Sequence, residues 1–344
     1  MSWYVIDAVD RAIERTRTCL IEPFNFWKWL KLAIIVFFIG GVGSGFNSGF
    51  NVGGNDISPE FIDSAGNFGN NLASSSIDSF AILAIAFILL FAFIMGLIGS
   101  VMDFVFVKSL VSNDVRIREY FMAYLRKGLS LFVLRIIVVF AVLLFLAILA
   151  LPLIYIVGVM TGGMDSLGGA SIALLIMGVF AIIFAFVLIA GIIDSLINLA
   201  IPVSMYSGCN IFSALSRVFG QFISDWQQML IYWIGRLILA IIVGFLVLIV
   251  GLIVMLALGI LYLIVDLMLY FALSAILADT TVWILLIPIL IVEFIVFLFV
   301  IAFVGMPANV FMKYHMLTFL QKWYPVEIPM FDKIQIMGAD NMDE

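Results

Sequence analysis

The sequence predicts an all-α integral membrane protein with six transmembrane helices, or seven as the alternative. Three observations predict this fold class. Of the 344 residues, 65% are hydrophobic and 11% are charged, and the mean hydropathy is +1.29. The apolar residues fall in runs longer than the roughly 20 residues that a helix needs to cross a bilayer. The basic residues fall on one side of the topology that these runs imply. A water-soluble fold is therefore excluded.

The overall charge limits the partners. The chain carries 16 Lys and Arg residues against 22 Asp and Glu residues, for a net charge of -6. Because no concentrated basic surface is apparent, nucleic acid is excluded as a partner. We expect the chain to contact the lipid bilayer, anionic lipid headgroups on its inner face, and either a protein partner or further copies of itself.

The N-terminal segment, residues 1–27, is predicted to form an amphipathic surface helix. Its apolar residues recur at helical spacing, while charged residues occupy the other faces. Such a helix lies in the plane of the membrane surface with its apolar side towards lipid. The residues with this spacing are Val5, Val9, Ala12, Thr16 and Leu20.

Six apolar segments are long enough to be spans by the length rule for membrane helices. The first is short, begins beside Trp27 and Trp29, and ends in a glycine-rich run. Aromatic residues anchor helix ends at the membrane interface, and clustered glycine ends a helix. The predicted spans are 28–43, 80–107, 131–158, 171–203, 229–256 and 281–305.

These spans divide the chain into three regions. A transmembrane bundle covers 28–305, and a C-terminal amphipathic segment with an inner tail covers 306–344. Residues 44–79 are rich in Gly, Asn and Ser and contain acids but no Lys or Arg, which predicts a flexible outer loop.

The stretch 257–280 is the ambiguous element. It is apolar enough to be a seventh span, but it contains Asp266, and no polar turn separates it from the fifth span. With six spans, all 16 basic residues lie on the cytoplasmic side together with both termini. Seven spans would place the C-terminal lysines outside. We therefore expect an interfacial or re-entrant helix here, in a protein of the cell membrane.

A period near one hundred residues suggests an internal repeat. Lys31, Arg135 and Arg236 each stand at the inner start of an odd-numbered span, 104 and then 101 positions apart. Pro202 and Pro307 stand at the inner ends of two even-numbered spans. The repeated unit would be a surface helix, a span out, a loop and a span back, so three two-span hairpins would surround an axis along the membrane normal. The alternative is that apolar helices simply resemble one another.

Charged and amide side chains inside the spans form the candidate polar site. Such groups are costly in a bilayer and usually face the bundle interior or a pathway. A carboxylate on an even-numbered span facing an arginine on an odd-numbered one would make a buried pair. Such a site is read either as a proton or ion relay or as structural anchoring. The candidate residues are Asp103, Asp194, Asn198, Glu293, Arg135 and Arg236.

The inner segment 113–128 combines basic and apolar residues. It is read either as a contact for anionic lipid headgroups or as a docking surface for a cytoplasmic partner. The basic residues concerned are Arg116, Arg118, Arg126 and Lys127.

Residues for catalysis or metal binding are sparse. His315 is the single histidine, and its setting favours an interfacial polar group. Cys19 and Cys209 have no CxxC or Cys/His partners. We therefore expect no catalytic residue, no metal and no cofactor.

Three segments carry a family resemblance: the start of the chain, residues 104–135, and the run PVSMYSGCNIFSALSRVF from Pro202. Together they resemble an archaeal multi-pass membrane family of unknown function. More remotely, the last run is similar to the membrane domain of some glycerophosphoryl diester phosphodiesterases, through Ala214, Leu215 and Arg217. The resemblance implies a membrane-only module that works beside other proteins, with no catalytic residue carried over.

Taken together, the sequence favours a non-enzymatic membrane scaffold or a subunit of a membrane assembly. The alternative is a transporter or channel that uses Asp194, Asn198 and Glu293. A lipid-modifying enzyme is the least favoured function.

Overall fold

A computed structural model describes residues 4–40, 79–161, 169–277 and 279–331. Its regular elements in these ranges are all α-helices, which confirms the all-α class. In chain order they are α1 (Tyr4–Leu20), α2 (Phe26–Gly40), α3 (Ser79–Ser112), α4 (Ile117–Thr161), α5 (Gly169–Tyr206), α6 (Ile211–Ser224), α7 (Trp226–Ser274) and α8 (Asp279–Trp323).

Five of these helices, α3, α4, α5, α7 and α8, are long and apolar enough to cross a membrane. The first predicted span corresponds to α2, whose 15 residues rise about 22 Å, less than the roughly 30 Å of a bilayer core. The end predicted for that span, 41–43, lies outside the described residues, as do positions 44–78 of the predicted loop.

The helices continue further than the sequence predicted. The basic segment from Ile117 onwards is the start of α4, and α8 runs through Pro307 to Trp323. The separate interfacial or re-entrant helix expected at 257–280 is wrong, because residues 257–274 continue α7 without a break. Charge counting assigns a segment to one side of a membrane, but a helix is interrupted only by a residue that disrupts its hydrogen bonds. The 49 residues of α7 extend about 74 Å.

The packed core lies at one end of the helices, which we call the basic end. It comprises α1, α2, α6, the last turns of α3, α5 and α8, and the first turns of α4 and α7. Phe104, Leu131, Leu199 and Tyr314 are buried there. A Cβ on Gly128 would lie 2.7 Å from the Cα of Val101, so α3 and α4 approach backbone to backbone.

Away from the basic end, the helices expose apolar side chains. Phe87, Phe140, Phe245 and Phe294 are between 60% and 69% exposed. In water this surface would be strongly unfavourable, whereas in a bilayer it meets lipid tails that are as apolar as the side chains.

Within the segment predicted to form a surface helix, the structure has the helix α1 over Tyr4–Leu20, and much of its apolar face meets protein. Ala8, Ala12 and Cys19 are buried against the basic end, and α1 packs mainly on α8. Ile13, on another face, is 53% exposed. The sequence pattern identified an amphipathic helix but did not indicate whether its apolar face contacts lipid or other helices of the protein.

Each helix segment at the basic end packs on the end of a neighbouring span. The start of α4 packs on α3, where the rings of Phe104 and Tyr124 stack with centroids 6.0 Å apart. The short helix α6 packs on α5, with Ile211 and Ala214 buried. Its N-terminus is capped by the side chain of Asn210, which accepts a hydrogen bond from the Ile211 amide.

Candidate functional site

An ion pair joins α3 and α4 inside the bundle. Nη2 of Arg135 lies 2.6 Å from Oδ2 of Asp103, and Nη1 of Arg135 donates a 3.2 Å hydrogen bond to Oγ of Ser100. The side chain of Asp103 is 3% exposed and that of Arg135 is 24% exposed. The structure thus brings together one carboxylate from an even-numbered span and one arginine from an odd-numbered span. Such a charge-assisted hydrogen bond is among the stronger polar contacts in proteins.

A second polar group connects α5 with α8. Nδ2 of Asn198 donates to the backbone oxygen of Asp194 at 3.0 Å and to its Oδ2 at 3.1 Å. Nζ of Lys313 donates to Oδ1 of Asn198 at 3.3 Å. Lys313 is 9% exposed, so a lysine of α8 lies inside the bundle beside the α5 amide.

Lys313 was missed by sequence reasoning, which placed it in the C-terminal tail beyond Pro307. A signal was present, because Met306, Val310, Lys313 and Leu317 recur at helical spacing and all are buried. It was overlooked because Pro307 was interpreted as the end of the span. Within a membrane helix, neighbouring helices tolerate and compensate such a proline.

The remaining arginine lies on α7 and completes this set of groups. Nη1 of Arg236 donates to the hydroxyl of Tyr232 at 2.6 Å, and its guanidinium lies 5.9 Å from the centre of that ring. Asp194 interacts electrostatically with Arg135, Arg236 and Lys313. We call Asp103, Arg135, Asp194, Asn198, Arg236 and Lys313 the charged network. It contains three cations and two carboxylates, an excess of one positive charge.

Glu293 does not join this network. It precedes Lys313 by 20 residues on α8, which corresponds to about 30 Å along the helix. Instead its carboxyl lies near that of Asp266 on α7. Both carboxyls line a cavity of about 630 Å³ between α7 and α8, beside Tyr262 and Trp283. The structure therefore does not bring Glu293 together with Asp194 and Asn198. Helix periodicity identified charged positions but not how far apart they lie along the bundle.

The four basic residues predicted to contact headgroups or a partner differ in their surroundings. Arg116 pairs with Oδ2 of Asp114 at 2.7 Å and Oε2 of Glu119 at 3.2 Å. The hydrogen bonds that Arg116 donates to Glu119 and to Asp114, in that order of effect, raise the pKa of Arg116. Nζ of Lys127 donates to the backbone oxygen of Ser204 at 2.7 Å and so ties α4 to α5.

The other two members of that group face outwards. Arg118 and Arg126 are exposed on α4. Met122, 66% exposed, and Leu129, 46% exposed, accompany them. This side of α4 therefore presents both charge and apolar area.

His315 lies in the core rather than at an interface. It is fully buried, and its ring stacks on Tyr232 with centroids 5.9 Å apart. Within the described ranges, His, Cys, Asp and Glu side chains do not gather in a group of three or more that could hold a metal ion.

Replacing Asp103 by Asn tests the importance of the ion pair. The change leaves the Arg135 cation unpaired at its buried face. We expect the free energy of unfolding to fall towards the lower end of about 3–5 kcal/mol, because Arg135 is 24% exposed. Unfolding by sodium dodecyl sulfate, followed by tryptophan fluorescence, measures this loss.

Two further variants make the comparison specific. Asp103→Asn combined with Arg135→Gln removes both charges and should recover most of the lost stability. Glu119→Gln breaks an exposed pair and should change stability little. An Asp103→Asn variant as stable as Glu119→Gln would show that the pair contributes nothing.

Comparison with known proteins places the chain in a family. Neither a curated protein nor a solved structure matches it. A family model described as a family of unknown function, DUF7544, matches residues 3–326, which is most of the chain. The chain therefore belongs to this family of unknown function, DUF7544.

Proposed function

We propose that this chain is a non-enzymatic scaffold, or a subunit of a larger assembly, in the cell membrane. The observation that carries the proposal is the interlocked basic end, where residues distant in sequence fix the helix ends to one another. A fixed platform of this kind suits holding partners in place more than moving a substrate.

Specific hydrogen bonds support this rigidity. Nη1 of Arg15 donates to Oγ1 of Thr318 at 2.8 Å, which links α1 to α8. The hydroxyl of Tyr314 donates to the backbone oxygen of Leu110 at 2.9 Å, which links α8 to α3. Arg15, Thr318 and Tyr314 contribute side chains to these contacts, and Leu110 contributes its backbone oxygen. Because every such contact removes freedom from two helices at once, the basic end should move as one body.

The proposed topology has six crossings, with α2 as the first and both termini in the cytoplasm. The start of α2 is held at the basic end, where Nζ of Lys28 donates to the backbone oxygen of Cys19 and to Oδ1 of Asn113, both at 2.6 Å. The positive-inside distribution supports a cytoplasmic basic end. There α1, α6 and the start of α4 would lie at the inner face, next to anionic headgroups.

We also propose that three units of one surface helix and two spans make up the fold. The units are α1 with α2 and α3, then α4 with α5, then α6 with α7 and α8. Each surface segment packs on the return span of the preceding unit: the start of α4 on α3, and α6 on α5. The packing of α1 on α8 follows the same rule across the chain ends. This arrangement supports a closed ring of three.

Cysteine labelling tests the six-crossing topology. In a background with Cys19 and Cys209 replaced by Ala, Ile276→Cys in the turn after α7 should react with a membrane-impermeant maleimide added to intact cells. Ile276 is 83% exposed, so access should not limit the reaction. Met122→Cys, at a position 66% exposed on α4, should react only after permeabilisation. Reaction of Ile276→Cys only after permeabilisation would contradict the six-crossing topology.

Purification in mild detergent tests the scaffold proposal. Native mass spectrometry of the full chain should show a partner or a second copy at fixed stoichiometry. Replacing Arg118 and Arg126 by Glu should release that partner, because these exposed cations lie on the outward side of α4. The control replaces Arg11 and Arg217, exposed cations on α1 and α6, by Glu. A monodisperse monomer in every preparation would contradict the proposal.

Transport is the second candidate, favoured by the charged network within helices long enough to span the membrane. If the network carries protons or ions, Asp194→Asn should reduce flux in proteoliposomes strongly. Glu293→Gln should not, because Glu293 lies about 30 Å further along α8. The absence of flux for every solute tested with the unaltered protein would reject this function.

A further inference from the structure

We propose that a groove beside Arg135 binds an anionic membrane lipid, with a headgroup oxygen on the guanidinium and hydrocarbon along the groove. This inference goes beyond the scaffold role, and it concerns a site distinct from the exposed arginines of α4. It stands on the shape of the groove, the unused donors of Arg135 and the charge balance of the network.

The groove lies between α2, α3 and α4 and has a volume of about 220 Å³. Ile39, Met95 and Phe140, one from each helix, contribute to its apolar wall. Two glycines of α3 keep it open. A Cβ on Gly96 would lie 3.0 Å from Cε2 of Phe132, and one on Gly99 would lie 2.8 Å from the backbone oxygen of Phe38. A side chain at Gly99 would require the backbone of α2 to shift, and one at Gly96 would require the ring of Phe132 to give way.

The length of the groove suits part of one lipid chain. Its lining on α4 runs from Phe132 to Phe140, which is about 12 Å along the helix. One leaflet of hydrocarbon is about 15 Å deep. Because Arg135 and Ser100 lie towards the basic end of the groove, a headgroup there would direct its chain along Val139 and Phe140.

Arg135 has hydrogen-bonding capacity to spare. A guanidinium carries five N–H donors in a planar fork. Among the described residues, Arg135 donates to Ser100 and Asp103, while its remaining N–H groups have room at the groove that it lines. Arginine binds phosphate and carboxylate oxygens through pairs of such donors. An oxygen acceptor in the groove would therefore complete its coordination.

The charge balance selects an anionic lipid over a neutral one. The network contains Arg135, Arg236 and Lys313 but only two carboxylates, so one positive charge is unbalanced. Lys313 is 9% exposed and bonded to Asn198, and Arg236 is bonded to Tyr232. Arg135 is the cation of the three that lines the groove. One negative headgroup at Arg135 would bring the network to neutrality, which matters inside a membrane where unbalanced charge is costly.

Photolabelling of the full chain in vesicles tests this site. The vesicles consist of phosphatidylcholine with a small fraction of phosphatidylglycerol that carries a diazirine in its acyl chain. The matched probe is phosphatidylcholine with the same diazirine. We expect peptides of α3 and α4 that line the groove to be labelled about tenfold more by the anionic probe, as expected for one added charge-assisted hydrogen bond.

Variants then locate the label. Val139→Trp should fill the groove and reduce its labelling about tenfold, whereas Val133→Trp on the same helix but outside the groove should not. Both valines are exposed, at 56% and 42%, so either change should leave the fold intact. Arg135→Gln combined with Asp103→Asn should abolish the preference for the anionic probe. Arg126→Gln, at an exposed position of α4, should leave that preference unchanged.

Three outcomes would overturn the proposal. Equal labelling of the groove by the two probes would show that the groove does not prefer an anionic lipid. Equal labelling of the two tryptophan variants would show that lipid does not enter the groove. Loss of the preference in Arg126→Gln would assign it to the surface of α4 instead.

Discussion

The fold depends on the requirement that charges carried into the bundle be partnered there. Five ionisable groups from five long helices meet in the charged network, with Asn198 between Asp194 and Lys313. An ion pair of this kind is an uncertain source of stability, since removing two charges from water costs about as much as their attraction returns. Its geometric effect is firmer. Asp103 and Arg135 satisfy each other in one relative position of α3 and α4, and Lys313 reaches Asn198 in one position of α5 and α8.

Outside the network, the two ends of the bundle are built on different principles. At the basic end, long-range hydrogen bonds and a buried core join every helix to another. Along the apolar lengths of α7 and α8, most side chains are exposed, and in a bilayer burying them would gain little because lipid tails are equally apolar. The charged network lies between the basic end and these exposed apolar lengths. The contacts of the network therefore fix the direction in which the long helices extend away from the basic end.

Features that depend on the spacing of residues within one helix could be predicted from the sequence. Features that depend on the relative positions of residues on different helices could not. Helical spacing predicted a helix in the part of the chain that forms α1, and the cost of intramembrane charge singled out Asp103 and Arg135, which the structure pairs. The same reasoning failed for Glu293, because a charged position in a span says nothing about its depth relative to another span. It also failed for Lys313 and for residues 257–274, where proline and charge were interpreted as ends of helices. In a membrane, neighbouring helices supply the partners that permit a helix to continue.

The position of Arg135 connects the architecture with the surrounding lipid. A cation used only to bind Asp103 could be fully enclosed, as Asp103 is, yet Arg135 remains 24% exposed and lines an apolar groove. Two glycines of α3 also line that groove, and a side chain at Gly96 or Gly99 would press on Phe132 or on the backbone of α2. Between α2, α3 and α4, one network cation thus remains accessible from the groove. An anion bound there would stabilise the conformation in which these three helices are together, because it interacts with a groove that exists only when they are. Lipid composition would then act on the same contacts that fix the basic end.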